Sequence, residues 1–513
     1  MSRLTSRPRG VPYRLAATSV AAALVLIGPA AWPAYADGPN PVGDLPASPS
    51  TWQPPPEDGS PPAIPPATGT PDGTYQLGQN ASCLTSGVTT ALSTVPAAQK
   101  MLDIADAQKI STGAGVTVAV IDTGVNPHPL FGTRLENGGD YIQTDGKGTY
   151  DCDGHGTMVA GIIAADTRGH PEYGFIGVAP DARILAIRQT DSNYTDQSNN
   201  NQTAGDLKTL GEAIMYAASR PDVKVITMSV DNCNPVAGGY ARQEENSADA
   251  RALQAAINYA VNEKDKVVVA AAGNIPNGNT ADQSSQGQGQ GSGASQQGGS
   301  NCDSVPQNDN PDPNAVKQVE IPPVYSNNVI SVASVSPVTG DPSIFTEWGP
   351  WVTVAAPGEQ IISVDPAPGG KLLTNETVQG GKQVNNIQGT SFAAPYVAGL
   401  AALIRSKYPT LTARQVMYRI EVTAQHPSGP DGRNNQVGYG LINPVAALTA
   451  SIPGQNGGPA AQTTSIKAQV PNAGADDGLP MQVALIGAGG TVLVLFVIYF
   501  VMRTRRHSSA KRS

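Results

Sequence analysis

Six short apolar runs set the limits on how this chain can fold. They are "VTVAVID" (116–122), "RILAIRQ" (183–189), "KVITMSV" (224–230), "KVVVAAAGN" (266–274), "VISVASV" (329–335) and "WVTVAAPG" (351–358). Within each run the apolar residues are continuous rather than alternating. That is the pattern of a strand covered on both faces, as in a parallel sheet. Between the runs lie helical patterns: "TMVAGIIAAD" (157–166), "TLGEAIMYAAS" (209–219), "ARALQAAINYAVNE" (250–263), "AAPYVAGLAALIRSKY" (393–408) and "TARQVMYRIEVTA" (412–424). Strand and helix in alternation predict an α/β domain with helices on both sides of a mostly parallel central sheet.

This domain is expected to span residues 92–452, interrupted at 284–301 by the low-complexity loop "SSQGQGQGSGASQQGGSN". Residues 37–91 form an N-terminal extension. Its first part is so dense in proline that it reads as extended and mostly unpacked, not as a compact prodomain. Residues 453–480 read as a flexible stalk.

Both ends carry membrane signals. Arg3, Arg7, Arg9 and Arg14 precede the apolar run "LAATSVAAALVLIGPAA", and Ala34-Tyr35-Ala36 follows. This is a secretory signal peptide over 1–36, with cleavage expected before Asp37. Near the other end, "VALIGAGGTVLVLFVIYFVM" (483–502) has no charge and is long enough to cross a bilayer, so 481–502 is expected to be a transmembrane helix. The basic tail 503–513 then lies in the cytoplasm and the domain outside it. A net charge of −9 with no basic domain argues against a nucleic-acid partner.

The four cysteines are Cys83, Cys152, Cys233 and Cys302. An even count in an exported chain suggests two disulfides, with three connectivities open. Cys152 is ambiguous by itself. It stands in "DCDGHGT", three residues before His155, where a nucleophile, a metal ligand or a disulfide partner could each be placed.

Three motifs carry chemistry. In "AVIDTGVNPHP", Asp122 ends a buried strand, and sites in such sheets lie at the carboxyl ends of strands. In "DGHGTMVAGI", His155 sits just before a helix. In "GTSFAAPYVAGLAALI", Ser391 begins a helix, with Pro395 expected in or near its first turn. A serine at a helix N-terminus can attack a carbonyl, with the helix dipole favouring the oxyanion. Histidine takes the serine proton, and a buried aspartate orients the imidazole.

With these motifs, and with "GVAPDARI", "AAGN" and "WVTVAAPG", the chain resembles the subtilisin-like serine proteases from about Ala97 to Leu448. The resemblance implies a three-layer α/β/α fold and a triad of Asp122, His155 and Ser391, in the chain order found in subtilisin. It implies an oxyanion hole from the Asn274 side chain and the Ser391 N–H; loss of such a donor in subtilisin costs about 10²–10³ in turnover. Met228, Ser229 and Val230 would line the substrate cleft, with peptide adding as a strand. Three positions depart from the usual pattern. Phe392 and Tyr396 stand where Met and His are common, and Asp231 stands where Gly is common, which leaves peptide preference open.

The signal, the Pro-rich extension, "DCDGHGT", the Gln/Gly/Ser-rich insertion and the C-terminal helix together resemble mycosins, the membrane-anchored subtilases of type VII secretion systems. That implies an endopeptidase acting on exported proteins, with components of the secretion membrane complex as partners. The alternative is a structural component whose catalysis is dispensable. Beside this resemblance the cysteines are paired Cys83–Cys152 and Cys233–Cys302. No cofactor is required and no metal site is specified. Subtilases often hold calcium, and Asp191, Asp196 and Asp206 could serve, but their spacing does not define a site. His128 and His170 read as solvated loop residues; His426 and His507 carry no motif.

Overall fold

The computed structural model describes residues 55–78, 81–87, 93–196, 202–229, 232–235, 247–275, 308, 316–379 and 382–455. The strands are β1 (Tyr75–Leu77), β2 (Thr85–Gly87), β3 (Thr117–Asp122), β4 (Leu135–Asp140), β5 (Arg183–Arg188), β6 (Asp191–Asp196), β7 (Gln202–Ala204), β8 (Val223–Met228) and β9 (Asn232–Pro235). They continue with β10 (Val267–Ala271), β11 (Gln318–Ile321), β12 (Ile330–Val335), β13 (Val354–Pro357), β14 (Ser363–Val364), β15 (Leu373–Thr374), β16 (Glu376–Gln379) and β17 (Lys382–Asn386). The α-helices are α1 (Ala97–Met101), α2 (Ile104–Gln108), α3 (His155–Ala164), α4 (Leu207–Ser219), α5 (Ala248–Asn258), α6 (Thr390–Lys407), α7 (Ala413–Val422) and α8 (Pro444–Thr449).

All six apolar runs enter one seven-stranded sheet, ordered β13-β12-β10-β8-β3-β5-β4. Every neighbouring pair in it is parallel. Successive side chains on a strand point to opposite faces. All six residues of β3 are buried, so both faces of the sheet are covered. The pair α3 and α6 packs together on it, and α4 and α5 form a second packed pair. The seventh strand, β4, was not expected. "LENGGD" has no apolar run because β4 is an edge strand, exposed or half-exposed over its first half. Gly138 lets it close on β5: a β-carbon there would lie 2.6 Å from Ile187 Cγ1.

The extension is more firmly joined to the domain than its proline content suggested. Gln254 Nε2 on α5 donates to Pro55 O at 2.7 Å, and Asn328 Nδ2 donates to Glu57 Oε1 at 2.9 Å. Pro55 has no N–H to place in a ladder, and its carbonyl is met instead by a side chain of the domain. Further on, Asp140 N donates to Thr68 O at 2.8 Å. β1 pairs antiparallel with β6, and β2 with β16. Between β1 and β2 the extension is bonded covalently to the domain, through Cys83 and Cys152. The pairing of Cys233 with Cys302, the signal peptide, the loop 284–301 and the membrane helix 481–502 lie outside the described residues. Among the described residues no helix is long and apolar enough to cross a membrane.

Candidate active site

Asp122, His155, Met228 and Ser229 all gather at the carboxyl edge of the central sheet. Asp122 and Met228 end the adjacent strands β3 and β8. Asn274 follows β10 and bridges to Thr346, and Ser391 is the second residue of α6. Val230 and Asp231 lie outside the described residues.

His155 opens α3 and is fully buried, as is Asp122. Its Nδ1 lies 2.7 Å from Asp122 Oδ1. The same oxygen accepts the Thr123 N–H at 2.8 Å, which fixes the carboxylate plane. Gly156 makes the approach feasible: a β-carbon there would sit 2.1 Å from Gly124 O and 3.0 Å from Asp122 Cβ. Burial pushes the His155 pKa down, but the Asp122 charge and hydrogen bond, with Asp153 and Asp151 behind them, carry it above the usual imidazole value. His155 Nε2 is buried with no hydrogen-bond partner among the described residues, so a basic lone pair is left for an incoming proton.

Ser391 is nearly buried, and its Oγ donates to Ser229 O across a long 3.4 Å. Its carbonyl accepts from Ser229 Oγ at 3.2 Å. This second contact has a local cause. Pro395 falls just past the first turn of α6 and has no N–H to give the carbonyl four residues back. Ser391 O is therefore open to Ser229. The Ser391 N–H belongs to the first turn, whose donors have no intrahelical acceptor. The Asn274 amide is oriented by Thr390, which donates its N–H to Oδ1 at 2.9 Å and its hydroxyl at 3.2 Å. With Oδ1 engaged by Thr390, Nδ2 is the amide's donor end. The Phe392 ring packs on the His155 ring, centroids 4.9 Å apart, while Tyr396 is buried one turn further along α6.

A hydrogen-bonded cage around these residues was not read from the sequence. Asp151 accepts from Thr123 Oγ1 (2.9 Å), Gly154 N (2.7 Å), Thr157 N (2.9 Å) and Thr157 Oγ1 (2.5 Å). Burial pushes its carboxyl up to about 8 against the pull of those donors. Asn126 bonds Asp151 through both main-chain groups and also reaches Pro366 O at 2.8 Å. The cage ties the end of β3 to the start of α3. Its only sequence signal is the short polar residues flanking Asp122 and His155 in "DTG" and "HGT".

Other expectations fare differently. His128 is buried, not solvated: its Nδ1 accepts from Leu130 N at 3.2 Å, capping a turn, and Nε2 lies 3.1 Å from Leu372 O. His170 is exposed beside Glu172, and His426 is exposed; His507 lies outside the described residues. The three aspartates considered for calcium do not share a site. Asp191 pairs with buried Arg188 at 2.8 Å, Asp206 caps α4, and Asp196 stands opposite Tyr75. Among the described residues no cluster of three or more ligating side chains could hold a metal ion.

A buried aspartate–histidine pair, a serine at a helix start and an oriented amide, all on one edge of a parallel sheet, define a subtilisin-like serine protease. Residues 113–440 match the subtilase family model. Mycosin-1 of Mycobacterium tuberculosis (strain ATCC 25618 / H37Rv) is 39% identical over 469 residues, covering 87% of this chain and 94% of that protein. The solved MycP3 protease of the type VII (ESX-3) secretion system is 38% identical, with a TM-score of 0.62 over 76% of this chain and 100% of its own. A chain of the intact ESX-5 inner membrane complex is 33% identical, with a TM-score of 0.63 over 86% and 99%. The protein belongs to the subtilase family and, within it, to the mycosins.

Proposed function

We propose that this protein is a membrane-anchored serine endopeptidase of a type VII secretion system, acting outside the cytoplasm through Asp122, His155 and Ser391. The observation that carries the reading is the buried 2.7 Å Asp122–His155 contact, which leaves Nε2 unpartnered. On substrate binding, Ser391 Oγ leaves Ser229 O and turns to Nε2. His155 takes its proton as Oγ attacks the scissile carbonyl, and Asp122 holds the imidazolium. The oxyanion is met by Asn274 Nδ2 and Ser391 N–H. His155 then protonates the leaving amine, and water hydrolyses the acyl-enzyme by the same steps. Ser229 adds the edge that the peptide pairs with, together with Met228 and Val230.

The placement rests on sequence and relatives together: a signal peptide over 1–36, an apolar segment over 481–502 and mycosin relatives from ESX systems. Because one relative is a chain of an inner membrane complex, structural service to such a complex is a second reading. A deletion strain complemented with wild type or Ser391→Ala separates them. Export lost with Ser391→Ala supports a need for hydrolysis; full export with it assigns export to the structural role.

A further inference from the structure

The first turn of α6 is held by segments that follow three strands of the central sheet. Gly389 N donates to Gly358 O at 2.9 Å, just past β13. Thr390 N donates to Asn274 Oδ1 at 2.9 Å, past β10. Ser391 itself is bonded to Ser229, just past β8, and it is bonded twice. Ser229 Oγ donates to Ser391 O at 3.2 Å, and Ser229 O accepts from Ser391 Oγ at 3.4 Å. Both residues are buried, and neither carries a charge. The two bonds differ in kind. The longer one is the resting contact of the nucleophile and is given up in the reaction. The shorter one joins the main chain of α6 to a side chain of the cleft segment, and no step of the reaction breaks it. An α-helix ordinarily fills such an acceptor from the N–H four residues on. In α6 that residue is Pro395, which has none. An unfilled acceptor in a buried place is costly, and the Ser229 hydroxyl supplies the donor that position 395 lacks.

We propose that Ser229 is a positioning residue for hydrolysis: its hydroxyl replaces the helix bond that Pro395 removes, and so holds the Ser391 nucleophile in register with the substrate strand. This rests on the protease reading above, in which peptide pairs with the main chain of residues 228–230. Met228 ends β8, so Ser229 follows the sheet directly. Peptide and nucleophile are then both placed from one residue, the peptide by its main chain and α6 by its hydroxyl. Attack needs Ser391 Oγ within about 3–3.5 Å of the scissile carbon, and a small displacement of either partner slows it. The Ser391 N–H, which meets the oxyanion, belongs to the same turn and is held by the same bond. The hydroxyl takes no proton in the reaction and acts through Ser391 alone.

The test is a double-mutant cycle in the full chain, built from Ser229→Ala and Pro395→Ala. It is read as the rate of Ser391 modification by a fluorophosphonate, which needs no known substrate, with thermal unfolding followed beside it. Alanine at 229 keeps the main chain that the peptide pairs with and removes only the hydroxyl. Alanine at 395 restores an N–H four residues past Ser391, so the helix can fill its own acceptor. Ser229→Ala alone is expected to slow modification about threefold to tenfold, the size of one hydrogen bond between uncharged groups. In the Pro395→Ala background the same change is expected to slow it less than about twofold. That second comparison decides the matter if Ser229→Ala does not fold by itself. An equal loss in both backgrounds overturns the proposal, as does a Ser229→Ala variant whose Tm falls while its rate stays that of wild type. Folded wild type that is never modified overturns the protease reading instead.

Discussion

Replacing both Cys83 and Cys152 by Ala tests how the extension holds the active-site loop. The bridge closes a loop with a sequence separation of 69 residues. In the chain-entropy treatment that removes about 15 cal/mol/K from the unfolded ensemble, or about 4.4 kcal/mol at 25 °C. For a domain of roughly 360 residues, with unfolding entropy near 2.1 cal/mol/K per residue, this lowers Tm by about 6 °C. Alanine is preferred to serine because Cys152 is fully buried and a hydroxyl there would add a desolvation cost of its own. The assay is thermal unfolding of the double variant beside wild type under identical non-reducing conditions. The effect should not be confined to stability. Leu84, whose N–H bonds Cys152 O, also packs where a β-carbon on Gly154 would fall, 3.0 Å from Leu84 Cδ2. Local opening of residues 150–155 is therefore expected to rise, seen as faster hydrogen exchange there than elsewhere. A Tm within about 1 °C of wild type would refute the entropic reasoning, and unchanged exchange at 150–155 would refute the anchoring role.

Three further outcomes follow from the site. Asp122→Asn keeps its oxygen toward the Thr123 N–H, so the His155 tautomer is retained and the charge alone is lost; modification of Ser391 should slow by about 10²–10⁴, the equivalent of the 3–5 kcal/mol for breaking a buried pair. Its residual acid limb should move to lower pH, and a loss under tenfold would contradict the role given to the carboxylate. Asn274→Ala should lower kcat on a cleaved peptide by about 10²–10³ with KM little changed, whereas an effect confined to KM would remove Asn274 from the oxyanion hole. Burial and neighbouring Asp206 push the Asp72 carboxyl up to about 6. A carboxyl raised in the fold binds its proton more tightly there than in the released chain, so docking of residues 72–77 weakens as pH rises toward and through about 6. Limited proteolysis of that segment should be faster at pH 7.5 than at pH 5, and Asp72→Asn should abolish the difference.

How much of this was legible in the sequence depends on how local the cause was. The six buried strands announced themselves because a strand covered on both faces has no polar positions to interrupt it. β4 did not, since an edge strand of "LENGGD" is held by β5 and the extension and not by its own apolar content. Asp122, His155 and Ser391 stand out in the sequence because each lies at the junction of a strand or helix with a glycine-bearing turn. The Asp151 cage was missed because its bonds join residues 123, 126, 151 and 157, and nothing in either segment alone shows that they meet. Pro395 lies near the first turn of its helix, as its place in the sequence suggests; that the missing N–H opens Ser391 O to Ser229 is not legible, because the two residues are 162 positions apart. His128 read as solvent-exposed because its acceptor, Leu372 O, is 244 residues away.

The central claim is that Ser391 is the nucleophile activated by His155. The most direct measurement is to treat the native full chain with a fluorophosphonate and locate the adduct by peptide mapping. The account predicts a single adduct on Ser391, absent in Ser391→Ala and in heat-unfolded protein, and formed much more slowly in His155→Ala. No adduct on the native protein, or an equal rate in His155→Ala, would contradict it.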